Sequence, residues 1–104
     1  MHVVVFITTV DKKEAQKISN ALLDKHLIAC SNIIEGIESQ FWWQGKKENA
    51  KESLVIAKTK KSSMEPLIKV VKSIHSYEVP EVIAIPIIDG YKPYLDWLEK
   101  ESSG

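Results

Sequence analysis

Apolar and polar positions break up along the chain in a way that predicts four strands and three helices. Residues 2 to 9 are rich in β-branched and aromatic side chains and stop at Asp11, which Glu14 follows three positions later in the form of a capping box. A strand therefore hands over to a helix. That helix is expected to run to about His26, with Ala15, Ile18, Ala21 and Leu22 on one stripe and Lys12, Lys13, Lys17 and Asp24 outside it. From Leu27 the pattern turns extended. Ile33, Ile37, Phe41 and Trp43 share one parity, while Ile34, Gly36, Glu38, Gln40 and Trp42 share the other. The polar run Gln44 to Lys51, with Gly45 in it, predicts a hairpin loop returning into a strand from Ser53 to Lys60. Ser62 or Ser63 should cap a second helix, whose first turn tolerates Pro66 because the early amides have no intrahelical partner. Leu67, Val70, Val71 and Ile74 then give it a one-sided apolar stripe. His75 to Glu81 forms a polar connection, Val82 to Ile88 a fourth strand, and about Pro93 to Lys100 a short helix packing through Tyr94, Trp97 and Leu98.

The order β-α-β-β-α-β is that of an α+β, ferredoxin-like domain, in which right-handed crossovers put both helices on one face of a four-stranded antiparallel sheet. A sheet with one solvated face should alternate apolar and polar residues. Yet Val3, Val5 and Ile7 are opposed by Val4 and Phe6, and Ile83, Ile85 and Ile87 by Val82, Ala84 and Ile88. Two helices cannot cover both faces, so the second face is expected to lie against another subunit; a looser monomer is the alternative.

At 104 residues the chain has room for one core, and residues 1–104 read as a single domain. The longest apolar runs are too short to cross a bilayer, so no membrane partner is expected. Met1 and His2 lead directly into Val3 without a basic segment or a cleavage site, which predicts no signal peptide and a cytoplasmic protein. The lone Cys30 agrees with a reducing compartment. Net charge is zero and every basic residue is lysine, so the bidentate donor that reads guanine and phosphate is missing and nucleic-acid binding is disfavoured. The end, Glu101 to Gly104, reads as polar and frayed.

Candidate chemistry is sparse. Phe41, Trp42 and Trp43 could stack on a ring-bearing ligand or simply pack. Cys30 reads as a buried small hydrophobe or as a soft thiolate ligand for Cu(I) or Zn(II). His75, at the end of the second helix, could hold a charge against the helix C-terminus or serve as a ligand, while His2 and His26 read as surface residues. Lys58 ends the apolar run Leu54 to Ala57, so it either reaches to water or needs an anionic neighbour. Glu78 and Glu81 lie too close in sequence to be read as a catalytic pair. No nucleophile is set beside a base in a recognisable order, so no enzymatic activity is expected.

Three segments, spread in order over nearly the whole chain, resemble the CutA family of divalent-cation tolerance proteins. They are Leu27 to Ile33, including Ala29-Cys30-Ser31; Phe41 to Lys46, with Glu52 and Leu54 to Thr59 after it; and His75 to Glu81, continuing to Tyr94-Leu95-Asp96-Trp97-Leu98. Ser76 departs from the pattern, since the family commonly has Pro there. The resemblance implies a homotrimer joined by strand edges and sheet faces, with a role in tolerance of copper and other divalent metal ions. It implies Cys30 and His75 as metal ligands with Glu78 as a weaker oxygen donor, holding copper or another divalent cation weakly, across a subunit boundary, with no required cofactor. It also implies a likeness to trimeric PII signalling proteins. The alternative function is then a signalling or scaffold trimer whose cleft, lined by Lys58, Tyr77, Trp42 and Trp43, takes a small organic anion or a partner protein.

Overall fold

In the computed structural model, which describes residues 1–102, the elements follow as β1 (His2–Thr9), α1 (Lys12–Asp24), β2 (Cys30–Trp43), β3 (Lys46–Lys60), α2 (Met64–Ile74), β4 (Val82–Pro86) and α3 (Lys92–Glu101). The sheet order is β2-β3-β1-β4 with every neighbouring pair antiparallel, the ferredoxin-like arrangement. Asp11 caps α1 as its sequence predicts, its Oδ1 accepting from the Glu14 amide at 2.8 Å, and Glu14 reaches back to the Val10 amide at 3.0 Å. α2 starts differently. A 3-10 turn, Lys61–Ser63, leads into it, and neither serine caps it; the buried Ser63 hydroxyl has no hydrogen-bond partner among the described residues.

One face of the sheet is the core. Val3, Val5 and Ile7 of β1 stand beside Val55 and Ala57 of β3 and are covered by Ala15, Ile18 and Leu22 of α1 and Leu67 and Val71 of α2. Each fully buried Val, Leu or Ile side chain stabilises this layer by about 1.5–3 kcal/mol relative to exposure.

The opposite face is divided. Val4, Phe6, Leu54 and Ile56 are half-buried there, and Ile34, Ile83 and Ile85 are 45–52% exposed. At its other end lies α3, whose Leu98 is fully buried and whose Glu99 pairs with Lys60 at 3.4 Å and with His2 at 3.5 Å. His2 is therefore not an ordinary surface residue. The chain end is not frayed at Ser102 either: this residue is buried and donates to the Leu98 carbonyl at 2.6 Å, while Ser103 and Gly104 lie outside the described residues.

The hairpin is longer than its sequence suggests. The turn is only Gln44-Gly45, both at positive φ (50° and 78°), and the polar run from Lys46 belongs to β3. Residues 37–43 pair with 46–52 alone, because β1 ends against Ser53, so this arm has no core to face and tolerates polar side chains on both sides.

A bulge corrects the parity expected for β2. Ile34 pairs with Leu54 but Ile37 pairs with Glu52, which inserts one extra residue on β2 around Gly36, itself at φ +68°. Ile33, opposite Val55, faces the core. Ile37, Phe41 and Trp43 come out with Glu52 on the other face, although they share the parity of Ile33.

Candidate functional site

The bulge has a spatial consequence. By turning Phe41 and Trp43 onto the side of Ala50 and Glu52, it makes them one wall of a cavity of about 870 Å³ beyond the end of β1. Thr8 forms the floor. The connection between α2 and β4 closes the far side with Tyr77, Glu78, Val79 and Glu81. Glu38 on the arm brings the carboxylates of this lining to four, and among the described residues no lysine or histidine lines it.

What holds that connection in place is a set of polar contacts radiating from two buried side chains. The His75 ring is fully buried, accepts the Tyr77 amide at Nδ1 (3.0 Å) and faces the Thr8 carbonyl with Nε2 (2.7 Å). A ring that accepts at Nδ1 carries its proton at Nε2, which donates to Thr8. Glu14 meets the same segment: Oε2 accepts from the Ser76 amide at 2.7 Å, and Oε1 lies 3.8 Å from His75 Nδ1. Burial alone would raise the Glu14 carboxyl, but the hydrogen bonds from Val10 and Ser76 outweigh it and hold it below the ordinary glutamate value. The capping glutamate therefore also anchors a distant loop.

Tyr77 donates its hydroxyl to Glu52 Oε2 at 2.6 Å and stacks obliquely on His75, ring centres 4.8 Å apart. Burial, then the hydrogen bond to the Glu52 carboxylate, pushes the phenol above its ordinary range, so Tyr77 stays a donor. Glu52 itself is only 7% exposed, and its Oε1 accepts no hydrogen bond among the described residues.

Cys30 belongs to a different cluster. It is half-buried opposite Lys58 on β3, with its sulfur 3.5 Å from the Tyr94 hydroxyl of α3. The Tyr94 phenol is pushed up to about 12 by that thiol first and by burial second, and its ring packs on Trp97 at 5.5 Å. Lys58 donates to the Asn32 side chain. Leu54 on β3 stands opposite Thr8, the His75 partner, four residues from Lys58; at ~3.3 Å per residue that separates the Cys30 and His75 neighbourhoods by roughly 13 Å along the strand.

The residues expected to act together thus fall into two places. Tyr77, Trp43 and Glu78 share the cavity. Trp42 points to the other side of the arm at 74% exposure, and Lys58 lies six residues along β3 from Glu52. Within one subunit Cys30 and His75 are not brought together, and both nitrogens of His75 are engaged by backbone groups. Among the described residues no group of three or more His, Cys, Asp or Glu is arranged to hold a metal ion. Sequence reasoning set Glu81 aside as too close to Glu78 and did not single out Glu52 or Glu38 as site residues. The available signal was Glu52 itself, an acid at the threshold of an apolar strand, the position where a charge is costly unless it has work to do.

The chain matches the family model described as "CutA1 divalent ion tolerance protein" over residues 3–101. It is 40% identical over 104 residues to the divalent-cation tolerance protein CutA of Thermus thermophilus, covering all of both chains; that protein's solved structure superposes with a TM-score of 0.95 over 97% of this chain and 98% of the other. The divalent-cation tolerance protein CutA of Archaeoglobus fulgidus is 43% identical over 96% of this chain and 97% of its own, and its solved structure gives a TM-score of 0.95 at 42% identity, covering 99% of this chain and 100% of the other. The chloroplastic protein CutA of Arabidopsis thaliana is 42% identical over 96% of this chain, which spans 55% of that longer relative. With a match across nearly its whole length and these identities, the chain belongs to the CutA1 divalent ion tolerance family.

Proposed function

We propose that this protein serves tolerance of divalent metal ions, copper among them, as a homotrimer that meets the ion at a subunit boundary rather than inside one chain. The uncovered half of the second sheet face carries this reading. Val4, Phe6, Leu54, Ile56, Ile83 and Ile85 form a continuous apolar surface beside the free edge of β4, and a surface of that kind on an isolated chain favours association. Copies of the same chain supply both a strand edge and an apolar face, which suits a closed symmetric assembly. Relatives in the family carry the description of divalent-cation tolerance, and the half-buried Cys30 offers the soft donor that copper prefers. His75 is a weaker choice of ligand than its sequence position implies, because a metal would have to displace a backbone hydrogen bond from its ring. We further propose residence in the cytoplasm, where an unpaired Cys30 stays reduced, and no enzymatic activity.

Calorimetric titration of Cu(I) and Cu(II) into the assembled protein and into Cys30→Ala tests the metal role. A loss of at least tenfold in affinity is expected in the variant; unchanged affinity and stoichiometry would remove Cys30 from it.

The second reading, a signalling trimer with a small ligand in a cleft, is favoured by the cavity between the arm and the Tyr77 loop. Its lining does not suit the anion expected from the sequence. Four carboxylates repel an anion, and Lys58, the cation meant to receive it, lies elsewhere.

A further inference from the structure

The cavity beside Glu52 combines three properties. Its lining includes the rings of Phe41 and Trp43, each more than two-fifths exposed on the single chain, together with Tyr77. Among the described residues its lining carries negative charge alone, with Lys72 just outside it donating to the Glu78 carbonyl. Its deepest carboxylate, Glu52, is more than nine-tenths buried, has an ion pair with no lysine or histidine among the described residues, and keeps one oxygen without a donor. Tyr77 satisfies Oε2, while Oε1 is not among the buried unpartnered side-chain atoms, so it stays open to solvent where a cationic ligand could pair with it. Aromatic faces are attracted to the same positive charge that would satisfy the carboxylate. At about 870 Å³ the space is far larger than a bare ion needs and lies in the range of organic ligands.

We infer that this cavity binds a small organic ammonium ligand, a protonated amine with an apolar body, whose charge sits at Glu52 while its body lies against Phe41 and Trp43. The inference rests on the second reading above, that the cavity takes a small ligand, and replaces the anion with a cation. Glu78 and Glu81 at the rim add long-range attraction that draws the ligand in, an effect that weakens as salt rises. Tyr77 is a positioning residue: its hydroxyl occupies Oε2 of Glu52, a lining residue of the cavity, and leaves Oε1 available to a ligand.

Three size-matched probes separate the possibilities: 2-phenylethylammonium, neutral 2-phenylethanol and the anion 3-phenylpropanoate. Each is titrated into the assembled protein, with binding read from tryptophan fluorescence and from the amide resonances of residues 76–79 and 81. The ammonium is expected to bind on the order of tenfold more tightly than the alcohol, and the anion not to bind measurably. Glu52→Gln, which still accepts the Tyr77 hydroxyl, should lower ammonium affinity about tenfold and leave the alcohol unchanged. Should that buried change disturb folding, the exposed pair Glu78→Gln and Glu81→Gln should still weaken the ammonium several-fold at low salt and not at high salt. Equal binding of ammonium and alcohol, or tighter binding of the anion, overturns the cation and leaves a ligand cavity standing. Failure of all three probes overturns the cavity reading as well. Displacement of the ammonium by Cu(II) or Zn(II) at lower concentration than the probe itself would overturn the organic ligand in favour of an inorganic ion.

Discussion

Replacing Glu14 by Gln should destabilise the protein by an amount that depends on pH, because this side chain joins the start of α1 to the loop after α2. Its two oxygens take the Val10 amide at 3.0 Å and the Ser76 amide at 2.7 Å, and it lies 3.8 Å from the buried His75 ring. Hydrogen bonds to a charged acceptor contribute about 1.5–3 kcal/mol each. A carboxamide keeps one acceptor oxygen, so one bond survives in weaker form and one amide faces an NH₂ group. Val10 and Ser76 are exposed residues and water can replace part of the loss, so the lower end applies: about 1–2 kcal/mol near neutral pH. The pH dependence follows from the native carboxyl being held below its unfolded value. Stability from ionised Glu14 is complete above the unfolded-state pKa and is lost as pH falls through the lower native one. The gap between wild type and Glu14→Gln should therefore be widest near pH 7 and close progressively below about pH 5. Guanidinium unfolding followed by tryptophan fluorescence, at one fixed chain concentration because assembly adds to apparent stability, measures both quantities. A gap below about 0.5 kcal/mol near neutral pH, within the range of ordinary surface changes, would refute the reasoning. So would a gap of the same size at every pH.

Other substitutions probe single links. Gly36→Ala puts a side chain at φ +68° where nothing lies within 4 Å, so its cost is backbone strain of about 1–2 kcal/mol, visible as a lower denaturation midpoint, with no steric clash to relieve. Leu98→Ala should remove about 2–5 kcal/mol and expose the Cys30 thiol to alkylation, because Leu98 is the buried anchor of α3 on the second face; unchanged thiol reactivity would count against that docking. Cys30→Ala should bring the Tyr94 phenol down from about 12 toward the ordinary tyrosine value, read as phenolate absorbance against pH with Tyr94→Phe as the assignment control.

Much of the architecture could be read from the chain because it depends on local periodicity. The stripes Ala15-Ile18-Leu22 and Leu67-Val71 and the alternation of β1 required only counting, and they gave the element order and the core face. Counting failed where one inserted residue changes the outcome. The bulge at Gly36 flips everything beyond it, so Phe41 and Trp43 land beside Glu52 rather than on the face of Ile33. Tyr77 joins them from a loop whose path depends on His75 and Glu14, and nothing local to either residue reveals that their partners are the Thr8 carbonyl and the Ser76 amide. The same long-range bonding makes His75 a structural ring. α3 shows a related gap: a ten-residue helix carries its own stripe but no sign of which sheet face it will cover, and it takes the face that the other two helices leave open.

Most of the functional account depends on the assembly that closes the remaining half of that face. Sedimentation equilibrium over a range of micromolar concentrations tests it most directly. A single species with three times the chain mass is predicted, and it should dissociate when Ile83 and Ile85 are both changed to Glu. A wild-type protein that sediments at the mass of one chain would contradict the account.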